Sequence, residues 1–180
     1  LRRQALLKLF SPESKAELIR GNVPTRINKL IDNMYGAILV AKAGIKRLEA
    51  DTADLIVYEL NPELWLPAPG QGAIAIETRD NDEELNRLLV KINDDVTGKA
   101  VKIERLLLEN FESGCHAAFA AYARKDKDKW GVIFGIEDGG WRQKTAKGSP
   151  EDCTAFGVSD LNSIGVVTSP AKEGLCKRVR

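Results

Sequence analysis

Three prolines and two glycines fall within one short stretch near the middle of the chain, "NPELWLPAPGQG" at residues 61–72. Proline lacks a backbone N–H and clashes with the preceding helical turn, so no helix can run through this stretch. The glycines permit tight turns that other residues resist. The stretch therefore divides the chain into two parts, and each part has its own pattern.

The part before the division alternates helical and extended patterns. The opening "LRRQALLKLF" can place apolar residues on one side of a helix, but it has no N-cap residue. The following segments predict a strand at 15–19, a helix at 25–36 with Thr25 as N-cap and Gly36 at its end, a doubly buried strand at 37–41, and a helix beginning at 42–50. Such alternation is typical of an α/β layer with a parallel sheet.

The part after the division changes character. "AIAIE" at 73–77 predicts one more buried strand, and residues 82–93 and 95–111 carry the clearest helical periods. Three short strands then follow at 117–123, 130–137 and 141–147, with a hairpin turn at "EDGGW". This pattern predicts a second, α+β domain with a small antiparallel sheet.

Charge and composition exclude several classes of protein. The chain has 27 Lys and Arg residues against 26 Asp and Glu residues, so it lacks the basic excess of most nucleic-acid-binding proteins. It has no apolar run of membrane-helix length and no signal-peptide pattern. Its three cysteines are widely separated and odd in number, which argues against a disulfide framework and favours a reducing cytoplasm.

Metal and nucleotide motifs are missing from the sequence. His116 is the single histidine, and the cysteines lack the spacing of a zinc site, so we expect no metal. "GQG" is too short for a phosphate-binding fingerprint, and no P-loop is present.

The placement of arginines is more informative. Arg2 and Arg3 are adjacent, Arg20 and Arg26 flank the turn "GNVPT", and Arg47 follows a predicted strand. Ligands of parallel α/β sheets collect at the carboxyl ends of strands, where guanidinium groups can grip carboxylates with two hydrogen bonds. The alternative is that each arginine is a solvated surface charge.

Five segments together resemble one family, the porphobilinogen deaminases, also called hydroxymethylbilane synthases. The segments are, in order, "LRRQALL", "IRGNVPTRINKL", "AILVAKAGIKRL", "LPAPGQGAIAIETR" and "ERLLLENFESGCHAAFAAYA". The resemblance covers residues 1–124, whereas residues 125–180 agree only in length and expected fold.

The resemblance implies a fold and a domain order. The family has three domains, and the chain is similar to the part that begins within the second. Residues 1–66 then correspond to an N-terminally truncated second domain, an α/β domain of the periplasmic-binding-protein type with a parallel or mixed sheet. Residues 67–92 return to the first domain, and residues 93–180 form the C-terminal α+β domain that carries the cofactor cysteine.

The resemblance also implies a reaction and a cofactor. Family members join four porphobilinogen units with loss of ammonia and release the linear tetrapyrrole of haem biosynthesis. The growing chain is held on a dipyrromethane bound through a thioether, and Cys115 matches the cofactor cysteine. Ser113 stands where the family usually has glycine, and Ala118 where many members have proline.

The arginines acquire roles by the same resemblance, because each pyrrole carries an acetate and a propionate. The matching positions are Arg2, Arg3 and Arg26 on the cofactor side, Arg20 and Arg47 on the substrate side, Gln71 and Gly72 at the hinge between domains, and Arg105 near the cleft.

The family's catalytic aspartate corresponds to a position upstream of Leu1, so we assign no catalytic residue and expect these 180 residues alone to be inactive. For the full-length protein we expect a cytoplasmic monomer that binds neither nucleic acid nor membrane. Two alternatives remain open, a non-enzymatic anion-binding α/β module and a degenerate homologue of the family.

Overall fold

The fold is given by a computed structural model that describes residues 1–112, 118–168 and 172–179. Its helices are α1 (Arg2–Phe10), α2 (Val23–Ile31), α3 (Lys42–Arg47), α4 (Glu83–Val90), α5 (Asp95–Glu112) and α6 (Pro150–Thr154), with a 3-10 helix at Val158–Ser163. Its strands are β1 (Tyr58–Leu60), β2 (Phe119–Asp126), β3 (Lys129–Glu137), β4 (Trp141–Gly148) and β5 (Cys176–Arg178).

The C-terminal half forms an antiparallel sheet in the order β2-β3-β4. Asp126 pairs with Lys129 and Glu137 pairs with Trp141, so short turns join the strands. The second turn contains Gly139 at φ 61° and Gly140 at φ 138°, in the left-handed region that favours glycine. The predicted antiparallel sheet and its hairpin at "EDGGW" are confirmed.

One face of this sheet packs against α5 and α6. Strand side chains alternate between faces, and the period-two pattern sends the larger apolar residues of β3 to the α5 side. The buried cluster there includes Ile103, Leu107 and Phe111 from α5 with Phe119 and Phe134 from the sheet. The helical period predicted for residues 95–111 therefore marks the buried side of α5 at Ile103, Leu107 and Phe111, whereas Val96 and Leu106 of the same period are exposed.

The opposite face of the sheet is covered by α1. Leu6 and Phe10 pack there with Leu66, Ala120 and Trp141 in a second buried cluster. The N-terminal helix thus contacts the sheet of the C-terminal half, a contact that the sequence did not predict.

The parallel or mixed sheet predicted for the first half is wrong for the described residues. The described residues form two sheets, β1-β5 and β2-β3-β4, and both are antiparallel. The predicted strands 15–19, 37–41 and 73–77 belong to neither sheet. A strand needs a neighbour for its backbone N–H and C=O groups, and the described residues supply none to these segments. Ile74 and Ile76 are accordingly 73% and 57% exposed.

A short sheet that the sequence did not predict joins residues 58–60 to the C-terminal segment. β1 pairs antiparallel with β5, and Leu60 lies opposite Cys176. The C-terminal segment therefore returns to the first half of the fold.

The helices agree with their sequence periods, but their caps are less well predicted. α2 begins after Asn22, whose side chain accepts the backbone N–H of Thr25 at 2.9 Å, so Asn22 rather than Thr25 is the N-cap. It ends at Ile31, before the predicted stop at Gly36. Within the described ranges, no helix combines the length and apolar character that crossing a bilayer requires.

Candidate functional site

The stretch at residues 66–73, here called the crossing segment, consists of two consecutive turns. The backbone N–H of Gln71 donates to the carbonyl of Ala68 at 3.0 Å, with Gly70 in the third position of that turn at φ 71°. Gly72 takes the same position in the next turn at φ 97°. Type II turns require positive φ there, which explains the glycines of "PGQG".

A buried carboxylate fixes the crossing segment to the C-terminal sheet. One oxygen of Glu104 accepts the backbone N–H of Gly70 at 2.7 Å, and the other accepts that of Ala123 at 2.8 Å. Glu104 is only 6% exposed. Burial raises its pKa above the usual value, although the two N–H groups act in the opposite direction.

Arg2, on α1, forms two hydrogen bonds with the same segment. Its Nη1 donates to the carbonyl of Leu66, and its Nη2 donates to Oε1 of Gln71 at 3.1 Å. The same oxygen accepts the backbone N–H of Ala68 at 3.2 Å. Partial burial, with a smaller contribution from the charge of Arg3, lowers the pKa of Arg2 to about 10.

The other two arginines predicted on the cofactor side bond to nearby carbonyls. Arg3 donates from Nη1 to the carbonyl of Leu39 at 3.1 Å, which connects α1 to the extended segment before α3. Arg26 donates from Nε to the carbonyl of Gly21 at 2.7 Å, at the turn before α2. Each guanidinium keeps further N–H donors for a ligand.

The arginines predicted on the substrate side are exposed. The side chains of Arg20 and Arg47 make no hydrogen bond or ion pair with any residue that the structure describes. The turn that carries Arg20 is held by Lys29, whose Nζ donates to the Arg20 carbonyl at 3.1 Å. As far as the described residues are concerned, both guanidinium groups can therefore take an external anion without first breaking an internal contact.

The predicted cofactor cysteine, Cys115, lies outside the described residues, as does Ser113. The structure describes α5 up to Glu112 and the chain again from Ala118 onwards. Arg105 is exposed on α5.

The structure joins some predicted site residues and leaves others apart. Arg2 and Gln71 are in direct contact. Within the described residues, no hydrogen bond connects Arg20, Arg26 or Arg47 to them. The binding roles of all five arginines stay predictions.

Sequence reasoning assigned no role to Glu104, although a signal was present. Residue 104 falls between Ile103 and Leu107 on the apolar side of a helix, where a charged residue is unusual unless it has partners. A carboxylate in that position marks a buried polar contact.

A metal site has no support in the described part of the chain. No group of three or more His, Cys, Asp and Glu side chains there is arranged to hold an ion. The positive charge of the arginines fits anionic ligands instead.

The family model and the curated relatives that match the chain name the same family. The family model "Porphobilinogen deaminase, dipyromethane cofactor binding domain" matches residues 1–87. The porphobilinogen deaminase of Bacillus cereus (strain B4264) is 44% identical over 142 residues, and that of Bacillus thuringiensis (strain Al Hakam) is 45% identical over the same length.

These alignments cover 77% of this chain and 46% of each relative. The chain therefore spans about half the length of the curated relatives it matches.

Proposed function

Because the chain belongs to the porphobilinogen deaminase family, we propose that the protein joins four porphobilinogen units, releases ammonia and yields hydroxymethylbilane. The observation that carries the proposal is the match of residues 1–87 to the domain named for dipyrromethane cofactor binding. The activity, the substrate and the cofactor of the whole protein are all part of this proposal.

We infer that the dipyrromethane is attached to Cys115. The bond forms between Sγ of the thiolate and the methylene carbon of a porphobilinogen unit, and ammonia leaves from that carbon. When bound, the dipyrromethane supplies the terminal pyrrole to which further units are added. Support for Cys115 comes from the match of the "SGC" segment at residues 113–115 to the segment that carries the cofactor cysteine in the family.

The guanidinium groups suit the pyrrole carboxylates. In the proposal, Arg2, Arg3 and Arg26 bind the cofactor, and Arg20 and Arg47 bind the incoming substrate. Charge-assisted pairs between guanidinium and carboxylate are stronger than neutral hydrogen bonds. Two observations support the assignment: no described residue engages the exposed guanidinium groups of Arg20 and Arg47, and Arg2 is held in place by Leu66 and Gln71.

The predicted domain organisation belongs to the same proposal. Residues 1–66 form part of a periplasmic-binding-type α/β domain, residues 67–92 return to another domain, and residues 93–180 form the third. The segments 37–41 and 73–77 become strands when the remainder of the whole protein lies beside them. A cytoplasmic location and a monomeric state stay predictions, based on cysteine usage and on the family resemblance.

The attachment site can be tested by intact mass measurement of the complete protein. We expect a mass addition of two linked pyrroles and a positive dipyrromethane colour reaction, and Cys115→Ala should abolish both. Cys153→Ala is the matched control, because Cys153 is buried in the C-terminal core and should leave the modification in place. A modification retained in Cys115→Ala, or carried by Cys153 or Cys176, contradicts the assignment. An anion-binding module without cofactor would show no added mass in any variant.

A further inference from the structure

The crossing segment lies along the edge of the C-terminal sheet that β2 forms. β2 is an edge strand, and the backbone N–H of Ala121 donates to the carbonyl of Pro67 at 3.1 Å. Two residues further along β2, the N–H of Ala123 reaches no backbone carbonyl of the segment and donates to Glu104 instead. Glu104 therefore takes the place of the next backbone bond along this edge.

The second carboxylate oxygen of Glu104 forms a hydrogen bond with the crossing segment. It accepts the N–H of Gly70, the residue immediately before Gln71 in the turn. The side chain of Gln71 then holds Arg2 through Oε1. Three hydrogen bonds in series thus lead from β2 through Glu104 of α5 and the turn to the guanidinium of Arg2 on α1.

We propose that Glu104 and Gln71 are positioning residues for Arg2. Glu104 fixes the backbone of the turn, the turn fixes the Gln71 amide oxygen, and this oxygen and the Leu66 carbonyl together orient the guanidinium. Only the ligand role of Arg2 rests on the proposed function; the chain of contacts does not.

The consequence for binding is preorganisation. Arginine has five N–H donors, and the two contacts of Arg2 leave the others for a ligand carboxylate. A side chain already held in place loses less conformational entropy when it binds a ligand. Arg3 provides the contrast, since it is exposed and, among the described residues, bonds only to the carbonyl of Leu39.

The contact at Glu104 requires two acceptor oxygens. A glutamine has the same shape but presents an NH₂ group to one of the two N–H groups, which then loses its acceptor. Glu104→Gln therefore breaks one link without creating a cavity. Gln71→Ala removes the side chain that contacts Arg2. Because Gln71 is exposed, this substitution should leave the fold intact. Glu109→Gln is the matched control, an exposed glutamate on the same helix.

Two measurements on the complete protein test the proposal, and neither uses substrate or added cofactor. Hydrogen–deuterium exchange reports the amides of Gly70 and Ala123. Labelling with an arginine-specific dicarbonyl reagent, read by mass spectrometry, reports the freedom of the Arg2 guanidinium relative to Arg3.

In the wild type we expect Arg2 to label more slowly than Arg3. Glu104→Gln should speed exchange of at least one of the two amides about tenfold or more and should raise Arg2 labelling severalfold. Gln71→Ala should raise Arg2 labelling while leaving exchange at Ala123 unchanged. Glu109→Gln should alter neither measurement.

The outcomes separate a positioning role from a structural one. Faster exchange in Glu104→Gln with unchanged Arg2 labelling makes Glu104 a structural contact only and overturns the proposal. Unchanged labelling in Gln71→Ala overturns it as well, even if Glu104→Gln does not fold. A protein that lacks the cofactor can still pass both measurements, so failure of the proposed function is distinguishable from failure of this inference.

Discussion

At the scale of a single residue, Glu104 shows what the sequence pattern predicts and what it does not. It occupies an apolar position of α5 and yet is held by two backbone N–H groups from other elements. Because burial outweighs these contacts, its pKa is raised in the folded protein. Its period on the helix predicts burial, whereas its partners at Gly70 and Ala123 are distant in sequence and could not be predicted from it.

The raised pKa predicts a pH dependence of stability. A carboxyl with a raised pKa in the folded state contributes most below its unfolded pKa of about 4.5, and the contribution is lost as pH rises through the folded value. The free energy of unfolding of the wild type, relative to Glu104→Gln, should therefore decrease as pH rises from about 4.5. Urea unfolding at a series of pH values measures it, with Glu109→Gln as control. A difference that grows with pH contradicts the prediction.

At the scale of elements, the sequence predicted correctly those helices and turns that depend on contacts between residues close in sequence. The helical periods of α4 and α5 and the glycine turn between β3 and β4 depend on residues close in sequence, and these predictions are confirmed. The strands at 37–41 and 73–77 depend on neighbours elsewhere, which apolar composition alone cannot supply. The β1–β5 pair was missed for the same reason, since its partners lie more than a hundred residues apart.

The sheet contains a matched pair of glycines that tests its packing. A Cβ added to Gly135 would lie 2.5 Å from the ring of Trp141, whereas one added to Gly131 on the same strand would meet nothing nearer than 3.9 Å. Gly135→Ala should therefore lower the free energy of unfolding by about 1–3 kcal/mol through overpacking.

Gly131→Ala is the control for this substitution and should change stability by no more than about 0.5 kcal/mol. Urea unfolding of both variants gives the comparison, and a change in tryptophan fluorescence in Gly135→Ala but not in Gly131→Ala reports the displaced ring of Trp141. Equal effects of the two substitutions would show that Trp141 moves aside freely.

At the scale of the whole molecule, the sheet of the C-terminal half has helices on both faces. α5 and α6 cover one face, and α1 with Leu66 covers the other. The crossing segment lies at the sheet edge between these layers, held by Arg2 and by Glu104. Arg2, one of the proposed cofactor-side residues, is thus fixed relative to α5, the helix that precedes Cys115 in the sequence. No local sequence pattern could have predicted this connection.

The segment at 73–77 carries a prediction about the complete protein. Ile74 and Ile76 are mostly exposed here, so replacing both with Asn should hardly change the free energy of unfolding of the 180-residue chain. In the complete protein we propose that the segment is a buried strand. Removing two buried isoleucines there should cost about 3 kcal/mol or more, because each buried aliphatic side chain contributes about 1.5–3 kcal/mol.

Urea unfolding of the 180-residue chain and of the complete protein, each with and without the double substitution, tests this difference. Glu77→Gln, in the same exposed segment, is the control for a polar change that removes no apolar surface. The 180-residue chain should also self-associate less after the substitution, because exposed apolar side chains promote association, and light scattering measures this. If the double substitution has the same small effect in both proteins, residues 73–77 do not enter a sheet, and the proposed return of this segment to another domain is wrong.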